Sequence, residues 1–216
     1  MSDFACFLAG MVRLLAPGVL VLLWHKKTGA RLYPALLAFA VCLPAFIVGS
    51  AIRSGFSHDD AIAYYIKQGI LFGIVEEGTK YLVLRFLLAA YDDRKDAVSY
   101  GIGHSAYELF ASGITCIGLI GTGKAASGIF GIALLSVIEH PLWTAALTVL
   151  IFYGIRTEKT KIMLPAAMLL HAVCNASQGI FIESAARAIN LVLLAGMCFA
   201  AYRCWKAMED PYAMKL

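Results

Sequence analysis

Residues 66–88 read IKQGILFGIVEEGTKYLVLRFLL, an apolar stretch that is long enough to cross a bilayer as one helix. Glu76 and Glu77 stand side by side in its middle, and Lys80 follows one helical turn later. A charged side chain at the centre of a bilayer costs roughly 2.5–3.5 kcal/mol on insertion scales. We therefore expect the two carboxylates to face a polar cavity, a partner group or a catalytic site, and not lipid.

The composition of the whole chain is that of an integral membrane protein. Of its 216 residues, 61% are hydrophobic and only 15% are charged, and the mean hydropathy is +0.77. A soluble domain of this size does not need so much apolar sequence. The net charge of +4 does not indicate nucleic-acid binding, because the basic residues lie in short segments between apolar runs. We expect a single all-α transmembrane domain over residues 1–216, with no nucleic-acid partner.

Seven apolar segments are predicted to be transmembrane helices, at about residues 4–24, 32–52, 62–90, 97–120, 128–153, 162–182 and 185–203. Basic residues between them are distributed unevenly. One side has Lys26, Lys27, Arg31, Arg94, Lys95, Arg156, Lys159, Lys161, Arg203, Lys206 and Lys215, and the other has Arg53, Lys124 and Arg187. The positive-inside rule then predicts an N-terminus outside and a cytoplasmic C-terminus. It also predicts that residues 92–96 are cytoplasmic and that residues 125–127 lie outside.

The fourth, fifth and sixth segments also carry polar side chains that lipid would not accept. These residues are Tyr100, His104, Glu108, Glu139, His140, His171 and Asn175. Within two pairs, His104 with Glu108 and His171 with Asn175, the partners are four residues apart and share a helix face. Counted at about 1.5 Å per residue, most of these groups and Glu77 lie roughly 10–20 Å from the cytoplasmic ends. We expect four helices to meet in one polar site at this depth.

Several kinds of chemistry could use such a set. A carboxylate can activate a water molecule, and imidazole or amide groups can stabilise an oxyanion, as peptide-bond hydrolysis requires. Two or three histidines with a glutamate could instead hold Zn²⁺ and leave one position for water, although the HExxH signature is absent. Any single intramembrane histidine could also be structural, hydrogen-bonded to a backbone carbonyl of the next helix.

The remaining charged residues and the cysteines are interpreted as structural. Lys80 is expected to pair with Glu76 or Glu77 within its own helix. Arg13 and Arg85 are expected to extend toward the ends of their segments and reach the interface. The six cysteines show no CxxC spacing and are expected to act as small hydrophobic residues.

Four motifs in this chain resemble those of a known group of proteins. They are EEGTK at 76–80, DAVSYGIGHSAYE at 96–108, HPLWT at 140–144 and LHAVCN at 170–175. In this order they resemble the PrsW and YhfC families, within the intramembrane protease superfamily that includes the CAAX prenyl proteases and the bacteriocin-processing (Abi) proteins. The resemblance covers about residues 70–180. His104 fits the YhfC and CAAX protease pattern whereas Glu108 and His140 fit PrsW, so the chain straddles two branches.

The resemblance implies an intramembrane endopeptidase of the bacterial inner membrane that cleaves membrane-anchored proteins or peptides. It implies a glutamate-activated water without an obligatory metal, although these families have also been described as metalloproteases. The catalytic residues would be Glu76, Glu77, His104, His171 and Asn175, with Lys80, Tyr100, Glu108, Glu139 and His140 supporting them. If Zn²⁺ were present, its ligands would be Glu77, His104, His140 and His171. The alternative is a proton-coupled transporter or a membrane scaffold, which would favour internal repeats that this sequence lacks.

Overall fold

A computed structural model describes residues 2–124 and 128–209 of the chain. Within these residues the chain folds into seven α-helices and no β-strand, which confirms the predicted all-α class. The helices are α1 (Ser2–Thr28), α2 (Tyr33–Arg53), α3 (Ala61–Leu82), α4 (Arg94–Gly118), α5 (Ile129–Arg156), α6 (Thr160–Ile180) and α7 (Glu183–Ala207). A π-helical turn, Val83–Leu87, continues α3. Each predicted segment overlaps one of these helices.

Four of the helices, α1, α2, α5 and α7, are long and apolar enough to cross a membrane. The other three fall short of that composition because α3, α4 and α6 carry the polar residues of the predicted site. Large apolar side chains such as Leu36, Leu169 and Val192 are exposed on the outer surface, where a bilayer would cover them. The count of seven spans and the orientation of the termini stay predictions. Lys215 and residues 125–127, used in the orientation argument, lie outside the described residues.

The centre of the bundle is built around α5. Leu147 and Ile151 are fully buried there, and Tyr100 of α4 is buried beside them. Thr144 of α5 donates a hydrogen bond to the carbonyl oxygen of Gly101 (2.7 Å), so α4 and α5 are joined inside the core. This central pair supports one wall of the polar site.

Two glycines let α3 approach α6 closely enough for their polar residues to touch. A Cβ placed on Gly73 would lie 2.5 Å from the carbonyl oxygen of Met168, and one on Gly69 would overlap the carbonyl of Ala172. Small residues of this kind allow close helix packing in membranes. Glu77 is one turn beyond Gly73 and therefore reaches α6 near His171.

Candidate active site

Glu77 is the buried member of the glutamate pair. Its side chain is fully enclosed, and Oε1 accepts hydrogen bonds from Lys80 Nζ and from His171 Nδ1, both at 2.7 Å. Lys80 is also fully buried, so the two residues form an ion pair inside the bundle. Of the two pairings expected for Lys80, the structure contains the one with Glu77. The hydrogen bond to Glu77 fixes the orientation of the His171 ring, so that its other nitrogen, Nε2, lies 3.8 Å from Glu76 Oε2.

Glu76 points into a cavity and has different neighbours. Its Oε2 lies 3.2 Å from His104 Nε2 and 3.8 Å from His171 Nε2. The first distance is a hydrogen bond, whereas the second is too long for one. The Glu76 side chain is 16% exposed, while that of Glu77 is 0% exposed. Glu76 therefore lies on the cavity wall, whereas the neighbouring Glu77 is enclosed in the protein interior.

His104 has a partner on its other ring nitrogen that sequence reasoning missed. Cys42 of α2 places its Sγ 2.9 Å from His104 Nδ1, and both side chains are buried. The thiol was expected to be a plain hydrophobic residue, and nothing in its spacing indicated a link to α4. Tyr100 is fully buried one turn before His104, with the two ring centroids 6.4 Å apart. Among the described residues its hydroxyl has no hydrogen-bond partner.

Glu108 and His140 form a second acid–histidine pair in the same cavity. His140 Nδ1 donates to Glu108 Oε2 at 2.6 Å, which joins α4 to α5. One ligand atom each from Glu76, His104 and Glu108 lie within 4.8 Å of one another. The Glu108 carboxylate therefore faces the Glu76–His104 pair across a space the size of a water molecule or an ion.

The cavity that these groups line has a volume of about 910 Å³. Asn175 lies on its wall, on the same face of α6 as His171. Glu139 also lines it, but its carboxylate lies 3.8 Å from the guanidinium of Arg187. Of the predicted residues, the structure brings to one cavity Glu76, Glu108, Glu139, His140, His171 and Asn175. Buried behind its surface are His104, Glu77, Lys80 and Tyr100.

Arg13 is a further cavity residue, and its contacts were not predicted from the sequence. It was expected to extend toward the end of its segment, and one of its contacts, Cys116, lies two residues before the end of α4. Its Nε donates to Ser136 Oγ at 3.1 Å and its Nη1 to Cys116 Sγ at 2.8 Å, both inside the bundle. Its position near the middle of the first apolar segment was the signal that could have identified it, because arginine at that depth is rare.

The donor atoms around the cavity fit a zinc ion. Glu76, His104 and Glu108 supply carboxylate oxygen and imidazole nitrogen, which Zn²⁺ accepts, and His171 Nε2 lies beside Glu76. His171 donates its other ring N–H to the Glu77 carboxylate. Metal-binding histidines usually have such a carboxylate partner, which leaves Nε2 as the ligand. The buried Glu77 therefore fits a supporting role for such a site.

This donor set differs from the one predicted for a metal, namely Glu77, His104, His140 and His171. In the structure Glu77 is hydrogen-bonded to His171, and His140 is hydrogen-bonded to Glu108. Glu76 and Glu108 instead supply the carboxylate oxygens of the candidate metal site. His104 belongs to both the predicted set and the candidate set.

An all-α membrane protein with carboxylates and histidines gathered inside its bundle belongs to a small range of classes, chiefly intramembrane hydrolases and proton-coupled carriers. Residues 39–134 match the model of the YhfC intramembrane metalloprotease family. This match confirms the resemblance to YhfC and supports an intramembrane protease. It extends from α2 into α5 and includes both glutamates, His104 and Glu108. No curated protein and no solved structure matches the chain.

Proposed function

We propose that this protein is an intramembrane endopeptidase that hydrolyses peptide bonds of membrane-associated proteins or peptides. The observation that carries the proposal is the cavity cluster of Glu76, His104 and Glu108, whose ligand atoms lie within 4.8 Å of one another inside an apolar bundle. Burying two carboxylates and an imidazole at one point costs free energy, and groups of this kind inside a membrane protein mark functional sites. The match to the YhfC family supports proteolysis as that chemistry.

Glu76 is the residue that we assign as the general base. Its carboxylate faces the cavity and can take a proton from a water molecule as that water attacks the scissile carbonyl. Glu77 cannot meet the same water, because its side chain is sealed behind Lys80 and His171. We assign it to positioning His171 beside Glu76. The sequence left open which glutamate is the base, and the exposure of Glu76 to the cavity supports assigning it to Glu76.

The groups on the other walls serve the later steps. The Asn175 amide lines the cavity and can donate a hydrogen bond to the oxyanion. His104 is buried behind the cavity surface, where its Nε2 hydrogen-bonds to Glu76 Oε2 and can hold that carboxylate in position. His140, bonded to Glu108, can return a proton to the leaving amine as the carbon–nitrogen bond breaks. The positions of Asn175, Glu108 and His140 on the cavity wall support these assignments.

A zinc ion held by Glu76, His104 and His171, with Glu108 beside it, would supply Lewis-acid polarisation of water and of the carbonyl. Whether or not zinc is bound, the hydrogen bond to Glu77 orients His171, and the hydrogen bond to His140 orients Glu108. Without the ion Glu76 is the base, and with Glu76 as a ligand Glu108 would be the cavity carboxylate left to take the proton from water. These residues are therefore the ones to remove when the proposal is tested.

The test is cleavage of a quenched-fluorescent library of apolar peptides by the full-length protein in proteoliposomes, with internal pH recorded in the same vesicles. We expect cleavage without proton flux. The double variant Glu76→Gln with Glu108→Gln should lose cleavage by several orders of magnitude, while the exposed Glu158→Gln keeps it. Proton flux without cleavage of any peptide would replace this proposal with a carrier function.

A further inference from the structure

Arg13 lines the cavity without forming an ion pair with any described residue. It lies near the middle of α1, a helix long and apolar enough to cross a membrane. Its two side-chain partners, Ser136 and Cys116, are neutral. Within residues 2–124 and 128–209, no carboxylate oxygen lies within 4.0 Å of its guanidinium. An intramembrane arginine without a counter-charge marks a functional site.

The Arg13 guanidinium has N–H groups that make no hydrogen bond to a described residue. It carries five N–H groups in a fixed planar arrangement, and the contacts with Ser136 and Cys116 use Nε and Nη1. Its Nη2 makes no hydrogen bond to any described residue. Glu139 is a nearby candidate on the cavity wall, but its carboxylate lies against Arg187 instead. The two neutral contacts therefore hold the Arg13 side chain in place without consuming its charge.

The position of Arg13 links it to the active site. Ser136 is four residues before His140 on α5, so the two share a helix face about 6 Å apart along the axis. Arg13, Ser136, His140 and Glu108 all line the one cavity. A polypeptide that lies against the Glu108–His140 pair therefore passes within reach of the guanidinium.

We propose that Arg13 binds a carboxylate of the substrate, either an aspartate or glutamate side chain or a C-terminal carboxylate, and so selects which segment reaches the catalytic groups. This inference rests on the proposed protease function. Arginine suits the task because its parallel N–H groups match both oxygens of a carboxylate. The ligand that we commit to belongs to a peptide and not to a lipid headgroup, because Arg13 lines the same cavity as the Glu108–His140 pair that a substrate peptide must reach.

The inference is tested by binding, separately from cleavage. The full-length protein carrying Glu76→Gln, which slows hydrolysis, is reconstituted in phosphatidylcholine nanodiscs. Two dye-labelled Ala/Leu helices of about 20 residues serve as probes, one with a central glutamate and one with a central glutamine. Fluorescence anisotropy should show the glutamate probe binding roughly tenfold more tightly, as expected of a charge-assisted hydrogen bond.

Variants of two arginines assign this preference. Arg13→Gln should bind both probes equally, whereas Arg13→Lys keeps the charge and should retain part of the preference. Arg85→Gln is the matched control, since Arg85 is exposed and lies outside the cavity, and it should behave like the parent protein. Thermal unfolding of each variant in detergent shows whether it is folded. If Arg13→Gln is misfolded, the inference is decided by whether Arg13→Lys retains part of the preference for the glutamate probe.

A preference that survives in Arg13→Gln, or a parent protein without any preference, would overturn the inference. Binding of dilauroyl phosphatidic acid that depends on Arg13, without a preference for the glutamate peptide, would also overturn it and identify a lipid phosphate as the ligand.

Cleavage by the wild-type protein is measured in parallel. If both probes are cleaved equally, the protease function stands and the inference fails. If no peptide of the library is cleaved but the preference depends on Arg13, the anion site stands and the protease function fails.

Discussion

Glu76 and Glu77 differ only in where their helix directs them. Successive residues on an α-helix point in directions about 100° apart, so the first meets the cavity and the second meets α6. Periodicity predicted that the pair would face something polar, but two neighbouring residues of one type give no indication of which takes which place. That choice depends on the rotation of α3 against α6, which packing at Gly69 and Gly73 determines. The sequence therefore predicted the cluster and left the base unassigned.

Cys42 and Arg13 were missed at the residue scale for different reasons. A thiol in an apolar run is chemically indistinguishable from a core residue until its neighbour is known, and the neighbour of Cys42, His104, lies on a different helix. Arg13 carries a visible charge, but its direction could not be read from spacing alone. Its partners Ser136 and Cys116 lie more than a hundred residues away in sequence.

The contact between Cys42 and His104 yields a prediction about stability. Cys42→Ala removes the partner of a buried ring nitrogen, and an unsatisfied buried polar group costs about 1–3 kcal/mol. Cys42→Ser keeps a hydrogen-bonding atom and should cost clearly less. Thermal unfolding in detergent measures both, with Cys6→Ala as the control because Cys6 is buried among apolar residues. Equal losses for the alanine and serine variants at residue 42 would show that the contact has no role.

At the scale of helices, the apolar segments predicted all seven elements because long hydrophobic runs leave few alternatives. Their ends were less certain. The third segment, predicted to continue to residue 90, ends as an α-helix at Leu82 and continues as a π-helical turn. The sequence did not indicate that Gly69 and Gly73 of α3 would be the small residues that position the site.

The close approach of α3 and α6 predicts opposite effects for two glycine substitutions. Gly73→Ala puts a methyl group against the Met168 carbonyl oxygen, so α3 must move and overpacking should cost about 1–3 kcal/mol. Gly196→Ala in α7 meets nothing within 4 Å and should stabilise its helix by about 0.5–1 kcal/mol. Unfolding midpoints of the two variants provide the measurement. A Gly73→Ala protein as stable as the wild type would contradict the packing described for α3.

At the scale of the whole molecule, apolar side chains are exposed on the outer surface, and the interior combines an apolar core with a polar cavity. Orientation in the bilayer is the part that the fold leaves as a prediction, because it depends on charges in the connecting segments and not on packing. Depth along the helices, in contrast, was enough to predict that the polar groups of four helices would meet. The physical reason is that each of them would otherwise face lipid.

The predicted orientation can be checked by cysteine labelling. Asp92→Cys should react with a membrane-impermeant maleimide only in inside-out vesicles, because the charge distribution places that segment in the cytoplasm. Asp59→Cys, the same substitution between α2 and α3, should react only from outside. Both side chains are exposed, and the wild-type protein gives the background from its own cysteines. Labelling of residue 92 from outside alone would reverse the topology.

The most direct test of the account compares Glu76→Gln with Glu77→Gln in single-turnover cleavage and in thermal unfolding. Glu76→Gln should reduce the rate by orders of magnitude with little change in stability, because it removes a cavity base and no buried ion pair. Glu77→Gln leaves the buried Lys80 charge unpaired, so it should destabilise the protein by about 3–5 kcal/mol. Near-normal cleavage by Glu76→Gln, or a Glu77→Gln protein as stable as the wild type, would contradict the division of roles between the two glutamates.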